Sequence, residues 1–405
     1  MHQQAWICCQ IGGREHYAIP RSILRSGGAA HLVTDVWAAK KTGWLPSRWR
    51  QRHHPEIDDK TVAAWNWSAL CLQTRLKLQQ RTLWQRNVAV NDWFQRKACG
   101  VLPALVQSSP SPVTVFAYSY AARKIFQLAK QLGCHTVLGQ IDPGPMEMQI
   151  VQDIERQRGD LLSEWPSPLY WDNWHSECNL ADAIIVNSEW TREALLEEGI
   201  AVDRLHVIPL AYDQAAAPIP PSPTIPEQFG AERPLRVLFL GQVIPRKGSF
   251  ELAEAIQLLV GRPVEWLIVG GGPAELLDRF RRLPQTTVTG AVSRHEVASY
   301  YRTADVFILP THSDGFALTQ LEALSYGLPV IASVCCGDVA VHNYNGLHLP
   351  DVTSAAIVNA VEQLIQSPQL LRRFAANSRV ETAFSLAAVG KQLMALGASL
   401  SGGEL

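Results

Sequence analysis

The stretch "LRVLFLGQVIPRKGSFELAEAI", residues 235 to 256, reads as a strand, a loop and a helix. Five of its first six residues are apolar, the pattern of a strand covered on both faces. Gly241 ends that run, Pro245 bars its continuation, and Arg246 and Lys247 stand in the loop just before the helix. Two cations at that point suit a diphosphate, which neutral groups alone bind poorly. The same unit recurs in "EWLIVGG", "TTVTG", "DVFILP" and "LPVIAS". Upstream, "AWICCQI", "HLVTDVW", "VTVFAYS", "HTVLGQI", "AIIVNS" and "LHVIPL" do the same, separated by helical patterns such as "AARKIFQLAKQLG". Strands alternating with helices predict parallel sheets covered on both faces.

A chain of 405 residues with 47% apolar content exceeds one core and suggests two domains. Residues 214 to 234 hold six prolines, which break helices and central strands, and mark the boundary. The expected organisation is an α/β fold with two Rossmann-like domains. Residues 1–213 form the first half, 214–234 the linker and 235–380 the second half. Residues 381–405 form a terminal helix and tail that pack back on the first domain. Two such sheets face each other across a cleft at their C-terminal edges, where open α/β folds bind ligands.

The net charge of −1 gives no footprint for nucleic acid. Between residues 40 and 100, however, twelve cations face four acids, interleaved with Trp44, Trp49, Trp65, Trp67, Trp84 and Trp93. This block reads either as a peripheral membrane contact or as a folded helix with solvated cations. The eight cysteines include the pairs Cys8-Cys9 and Cys335-Cys336 but no zinc spacing, so they read as buried small residues in a reducing compartment. No basic leader and no run of about 18 apolar residues occurs. The expectation is a cytoplasmic protein that meets a membrane only from its surface.

Two nucleotide motifs are absent: "GQVIPRKGS" lacks the P-loop glycine and hydroxyl, and neither "GGREHY" nor "GGGPAE" has the dinucleotide spacing. The remaining candidates are strand ends. Gly241 and Gln242 precede the cations, Gly271 allows close approach after the next strand, and Val292 precedes a helix opened by the Ser293/Glu296 capping box. "SDGFALTQLEALSYGLPVIAS", residues 313 to 333, opens a helix on Asp314-Gly315-Phe316-Ala317-Leu318 and carries Glu322 one turn inside. Carboxylates accept paired hydrogen bonds from vicinal diols, which suits one acid to a sugar and one to a ribose. Gly12 and Gly13 follow the first strand, and Asp142 sits in an Asp-Pro-Gly turn that is either active-site or merely turn-forming.

Asp314-Gly315-Phe316-Ala317 followed by Glu322 resembles the E-G-F-G-x4-E signature of retaining GT-B glycosyltransferases of family 4. "LFLGQVIPRKG", "LIVGGGP", "ADVFILP" and "NGLHLP" follow in that family's order. The resemblance implies that Lys247 and Arg246 hold the donor diphosphate, Glu322 the ribose and Asp314 the transferred sugar. It implies a nucleotide-sugar donor, a saccharide or lipid-linked acceptor, and no metal or other cofactor. The chain departs from the family at Gln242, where an Arg is usual, at Asp314, where a Glu is usual, and before Asp142, where a His is often found. Those departures leave two alternatives open: a donor-binding subunit with weak catalysis, and a nucleotide-sugar 2-epimerase of the same fold.

Overall fold

The computed structural model describes residues 4–39, 45–110, 112–159, 164–213 and 224–402, without the side chains of Ser47, Arg48 and Arg294. Lys40, Lys41, Trp44 and the linker residues 214–223 therefore lie outside the described residues, as does the Arg48 side chain.

The first sheet contains β1 (Ala5–Gln10), β2 (Ala29–Thr34), β3 (Val62–Ala64), β4 (Val113–Tyr118), β5 (His135–Gly139), β6 (Ala183–Val186) and β7 (Leu205–Val207). Its order is β3-β2-β1-β4-β5-β6-β7, parallel throughout. The second sheet contains β8 (Leu235–Leu240), β9 (Val264–Val269), β10 (Thr286–Gly290), β11 (Val306–Leu309), β12 (Val330–Ser333) and β13 (Gly346–Leu349). Its order is β10-β9-β8-β11-β12-β13, again parallel. In both, the order reverses beside the first strand, which opens a crevice at the strand ends. The expected α/β architecture with two parallel sheets is what the chain adopts.

The continuous apolar runs follow from this layering. Along β1, Ala5, Ile7 and Cys9 enter one core while Trp6 and Cys8 enter the core on the opposite face. A strand alternating with period two must be apolar at every position when both faces are covered. Cys8 and Cys9 are buried, and burial pushes both thiols up, which keeps them protonated.

The segment from residue 224 already belongs to the second domain. Ile225 and Phe229 are buried in its core, and Arg233 pairs with the buried Asp305 at 2.6 Å. The terminal helix Leu386–Leu400 returns to the first domain, where Leu386, Val389, Leu393 and Leu396 share a core with Trp6, Ile19 and Ile23. Further ties join the halves: Tyr212 donates its amide to Phe384 O at 2.7 Å, and Arg158 contacts Glu251 at 3.0 Å.

The basic block forms the helices Asn66–Leu78 and Leu83–Ser108. Trp49 and Trp93 are buried, and Trp84 donates to Glu164 O at 2.7 Å, so most of the tryptophans serve packing. Trp67 is 66% exposed, and Leu78, Leu83 and Val88 of the same two helices are exposed as well.

One buried acid fixes an active-side loop. Glu177 accepts from the amides of Tyr120 at 2.6 Å, Ala122 at 2.8 Å and Arg123 at 3.1 Å, where the helix Arg123–Gln131 begins. Those first-turn amides have no partner within the helix. Glu177→Ala strands them in the core, and unfolding in urea is expected to show a loss of about 2 kcal/mol; a loss under about 0.5 kcal/mol would contradict this role.

A cleft site built from both domains

The site begins with a loop that only glycine closes. Pro245–Lys247 forms a single 3-10 turn after β8, capped by Gly248 at φ +69°. A Cβ at Gly248 would lie 1.9 Å from the Pro310 carbonyl oxygen. Without it, this loop packs directly on the loop after β11, and Arg246 O accepts from His312 N at 2.8 Å and Thr311 Oγ1 at 3.0 Å. That backbone match carries the side chains together. Lys247 Nζ contacts Asp314 Oδ2, and Arg246 Nη1 donates to Ser313 O at 2.7 Å and lies 3.6 Å from Asp314 Oδ1.

The first domain completes the cluster. Glu147, on helix Pro145–Arg158, accepts through Oε2 from Ser313 Oγ at 3.0 Å and from Arg246 Nη1 at 3.3 Å. Burial raises its carboxyl to about 7, with Arg246 opposing. Burial and the neighbouring Arg246 press the Lys247 ammonium down to about 7, with Cys336 and Glu147 opposing. Each cation of the expected diphosphate site is thus matched by an acid.

Asp142 serves both readings. Its Oδ1 accepts from Gly144 N at 2.9 Å, which closes the turn, and from the Tyr120 hydroxyl. It also lines the cleft cavity with Arg246, and burial raises its carboxyl despite those hydrogen bonds. Gln140 supports this loop by donating to Asp142 O at 2.8 Å and accepting from Trp174 Nε1 at 2.9 Å.

Gly315 closes the domain interface. A Cβ there would lie 2.3 Å from Ile141 O, and its own carbonyl accepts from Ser188 Oγ at 2.7 Å. Its missing Cβ lets the Asp142 loop and the Asp314 loop touch. Phe316 and Ala317 are buried, Phe316 against Phe384, and the Ala317 amide bonds Cys336 O at 3.1 Å. Among the described residues the amides of Phe316 and Leu318 have no partner, so two anion-binding donors of the expected three remain at helix Leu318–Ser325.

The other candidates lie around this centre. Glu322 accepts from the Tyr301 hydroxyl at 2.8 Å, separate from the Asp314 cluster. Gly271 O accepts from Val243 N at 2.9 Å, Gly270 N donates to Gly290 O at 3.0 Å, and Val292 packs on the second core. Gln242 is exposed. Gly12 N is bonded to Asp35 Oδ1 at 2.8 Å, which fixes the loop after β1.

Sequence reasoning missed Glu147 and the aromatic wall. A cavity of about 240 Å³ lies beside Asp142, Glu147 and Arg246, walled by Trp84, Tyr120, Tyr170 and Trp171. Tyr120 and Tyr170 stack at 4.9 Å, and Trp84 meets Tyr170 edge-on at 5.1 Å. Nothing in the spacing of these residues marks them, because three separate segments bring them together.

Two parallel-sheet domains with a cationic, acid-lined crevice between their strand ends define a protein of GT-B architecture. Residues 222–381 match the family described as Glycosyl transferases group 1. The D-inositol 3-phosphate glycosyltransferase of Xylanimonas cellulosilytica is 29% identical over 221 residues, 49% of this chain and 52% of that protein. The first three curated relatives are matched over 40%, 52% and 66% of their lengths, so the chain spans less than two thirds of each. Among solved structures, the sucrose-phosphate synthase of Thermosynechococcus elongatus aligns over 99% of both chains with a TM-score of 0.68 at 17% identity. The Anabaena protein HepE, solved with UDP, aligns over 98% of this chain and 100% of its own with a TM-score of 0.61 at 16% identity.

Proposed function

We propose that this chain transfers a sugar from a nucleotide-diphosphate donor to an acceptor hydroxyl in the cytosol, with retention and without a metal. The observation that carries the reading is the joint seating of Arg246, Lys247 and Asp314 on the two locked loops at the ends of β8 and β11, opposite Asp142 and Glu147. The group 1 glycosyltransferase match supports it. In the reaction the bond from anomeric carbon to diphosphate oxygen breaks, and one from the same carbon to the acceptor oxygen forms. The acceptor proton passes to the departing phosphate oxygen. Lys247 and Arg246 stabilise the charge that builds on that diphosphate, and the orphan amides of Phe316 and Leu318 add to them. Asp314 holds the transferred sugar and Glu322 the ribose.

The test is a thermal-shift panel of UDP, GDP and ADP and their sugar conjugates with EDTA present, followed by product analysis with acceptor extracts. UDP comes first because the structurally similar Anabaena protein is solved with it. A nucleotide that raises the midpoint with EDTA, and whose sugar conjugate yields a retained glycoside, supports the proposal. Binding without turnover favours a donor-binding subunit, and release of free sugar without acceptor favours an epimerase. Among the described residues no helix is long and apolar enough to cross a membrane. Peripheral contact through exposed Trp67, Leu78 and Leu83 beside Arg75 and Arg81 is proposed as well. Co-sedimentation with anionic vesicles that drops in Trp67→Ser is the expected outcome.

A further inference from the structure

A buried hydroxyl stands beside the acid assigned to the ribose. Tyr301, on helix Arg294–Thr303, is 1% exposed, and its hydroxyl donates to Glu322 Oε2 at 2.8 Å. The same hydroxyl lies 3.4 Å from Thr319 O, the longer and weaker of its two contacts. Two rings hold the phenol in place: it stacks on Tyr326 at 5.2 Å with 10° between the planes, and it meets Phe307 tilted at 6.2 Å. Burial and the Glu322 carboxylate keep the phenol well above its ordinary range, so it stays a donor. The helix that carries Glu322 is fixed from the domain crossing as well. The Tyr212 hydroxyl donates to Ser325 Oγ at 2.9 Å, and Ser325 Oγ donates to Glu322 O at 2.7 Å.

Resting on the transferase reading, we infer that Tyr301 is a positioning residue whose hydroxyl orients the Glu322 carboxylate to accept from both ribose hydroxyls of the donor. A glutamate carboxylate turns freely about its last torsion and offers about four acceptor positions. Tyr301 occupies one position on Oε2 and stops the rotation, which leaves Oε1 and the rest of Oε2 for a vicinal diol. The acid is thus ordered before the donor arrives, and binding does not have to supply that ordering. Solvent does not replace the hydroxyl, because Tyr301 is buried. Without it, the inner oxygen of the partly buried carboxylate loses its donor. The acid then turns away or takes up a proton, and either change weakens its grip on the diol.

The experiment measures binding of UDP, GDP and ADP and of their 2′,3′-dideoxy counterparts by calorimetry on the full chain, in wild type and in Tyr301→Phe. Wild type is expected to prefer one ribonucleotide over its dideoxy form at least about ten-fold, the worth of hydrogen bonds to a charged group. Tyr301→Phe is expected to cut that preference to about three-fold or less. Glu322→Ala is expected to cut it as far, and the double variant Tyr301→Phe/Glu322→Ala no further, because the hydroxyl acts through the carboxylate. Steady-state transfer by Tyr301→Phe is expected to show a raised donor KM with kcat nearly unchanged, since the ribose is remote from the breaking bond. Circular dichroism melting reports whether each variant folds. Glu322→Asp gives a second route that leaves Tyr301 intact: it keeps the charge, withdraws it from the hydroxyl by one methylene, and is expected to lose the preference too. A role confined to packing lowers the melting temperature of Tyr301→Phe and leaves the ribose preference whole, and that result overturns the inference. So does a Glu322→Asp variant that keeps the preference, or a loss in Tyr301→Phe that adds to the loss in Glu322→Ala. Wild type that binds a nucleotide and its dideoxy form equally overturns this inference alone, whereas wild type that binds none of the nucleotides overturns the transferase reading with it.

Discussion

Lys247→Ala is expected to lower kcat/KM for sugar transfer by about a thousand-fold and to abolish the thermal shift caused by the nucleoside diphosphate. Two losses combine. The ammonium that meets the leaving diphosphate goes, and the Asp314 carboxylate loses its contacting partner and keeps only Arg246, 3.6 Å away, as a counter-charge. Removing one partner of such a pair harms more than removing both. The double variant Lys247→Ala/Asp314→Asn is therefore expected to recover part of the nucleotide binding while transfer stays low. Steady-state kinetics and thermal shift on the two variants check this. If Lys247→Ala keeps wild-type affinity and rate, the diphosphate does not sit on this loop and the transferase site lies elsewhere.

How much of this was legible beforehand varies with how local the cause is. β1, β4, β6, β11 and β12 were readable because burial along their whole length leaves few polar positions to confuse the pattern. β3, only Val62–Ala64 and partly exposed at the sheet edge, gave no such run and was not foreseen. Arg246, Lys247 and Asp314 were readable as chemistry, and their meeting required only that corresponding loops of one sheet lie side by side. The approach of Gly315 to Ile141 of the other domain left no mark in the sequence, because it depends on how the two domains meet. Glu147 left no mark at all. Its partners Arg246 and Ser313 are 99 and 166 positions away, and a helical glutamate reads as solvent-facing unless the second domain is in view. The aromatic wall was likewise scattered over residues 84 to 171, and the block holding Trp84 left open a membrane contact or a folded helix, of which the partly buried Trp84, bonded to Glu164 O, favours the second.

Glu147 leads to the second large effect. Its ionised carboxylate neutralises Arg246 and repels an arriving diphosphate, so the donor prefers the protein with Glu147 protonated. With the carboxyl raised to about 7 by burial, the group is mostly protonated at pH 6 and mostly ionised at pH 8. Affinity for the nucleoside diphosphate is therefore expected to weaken about ten-fold from pH 6 to pH 8, with close to one proton taken up on binding at the upper end. Glu147→Gln fixes the neutral form of that residue. It is expected to bind tighter than wild type at pH 8 and to take up fewer protons there, the remainder belonging to Lys247, which is itself lowered to about 7. The same shift has a stability consequence of fixed sign. The folded state holds the proton more tightly than an unfolded glutamate, so Glu147 favours folding most at low pH, and that contribution is lost as pH rises from the ordinary glutamate range through about 7. Calorimetry in two buffers of different ionisation enthalpy reads the proton directly. A pH-independent affinity in wild type, or a Glu147→Gln variant that binds no tighter at pH 8, would show that Arg246 is free to meet the donor whatever the state of its neighbour.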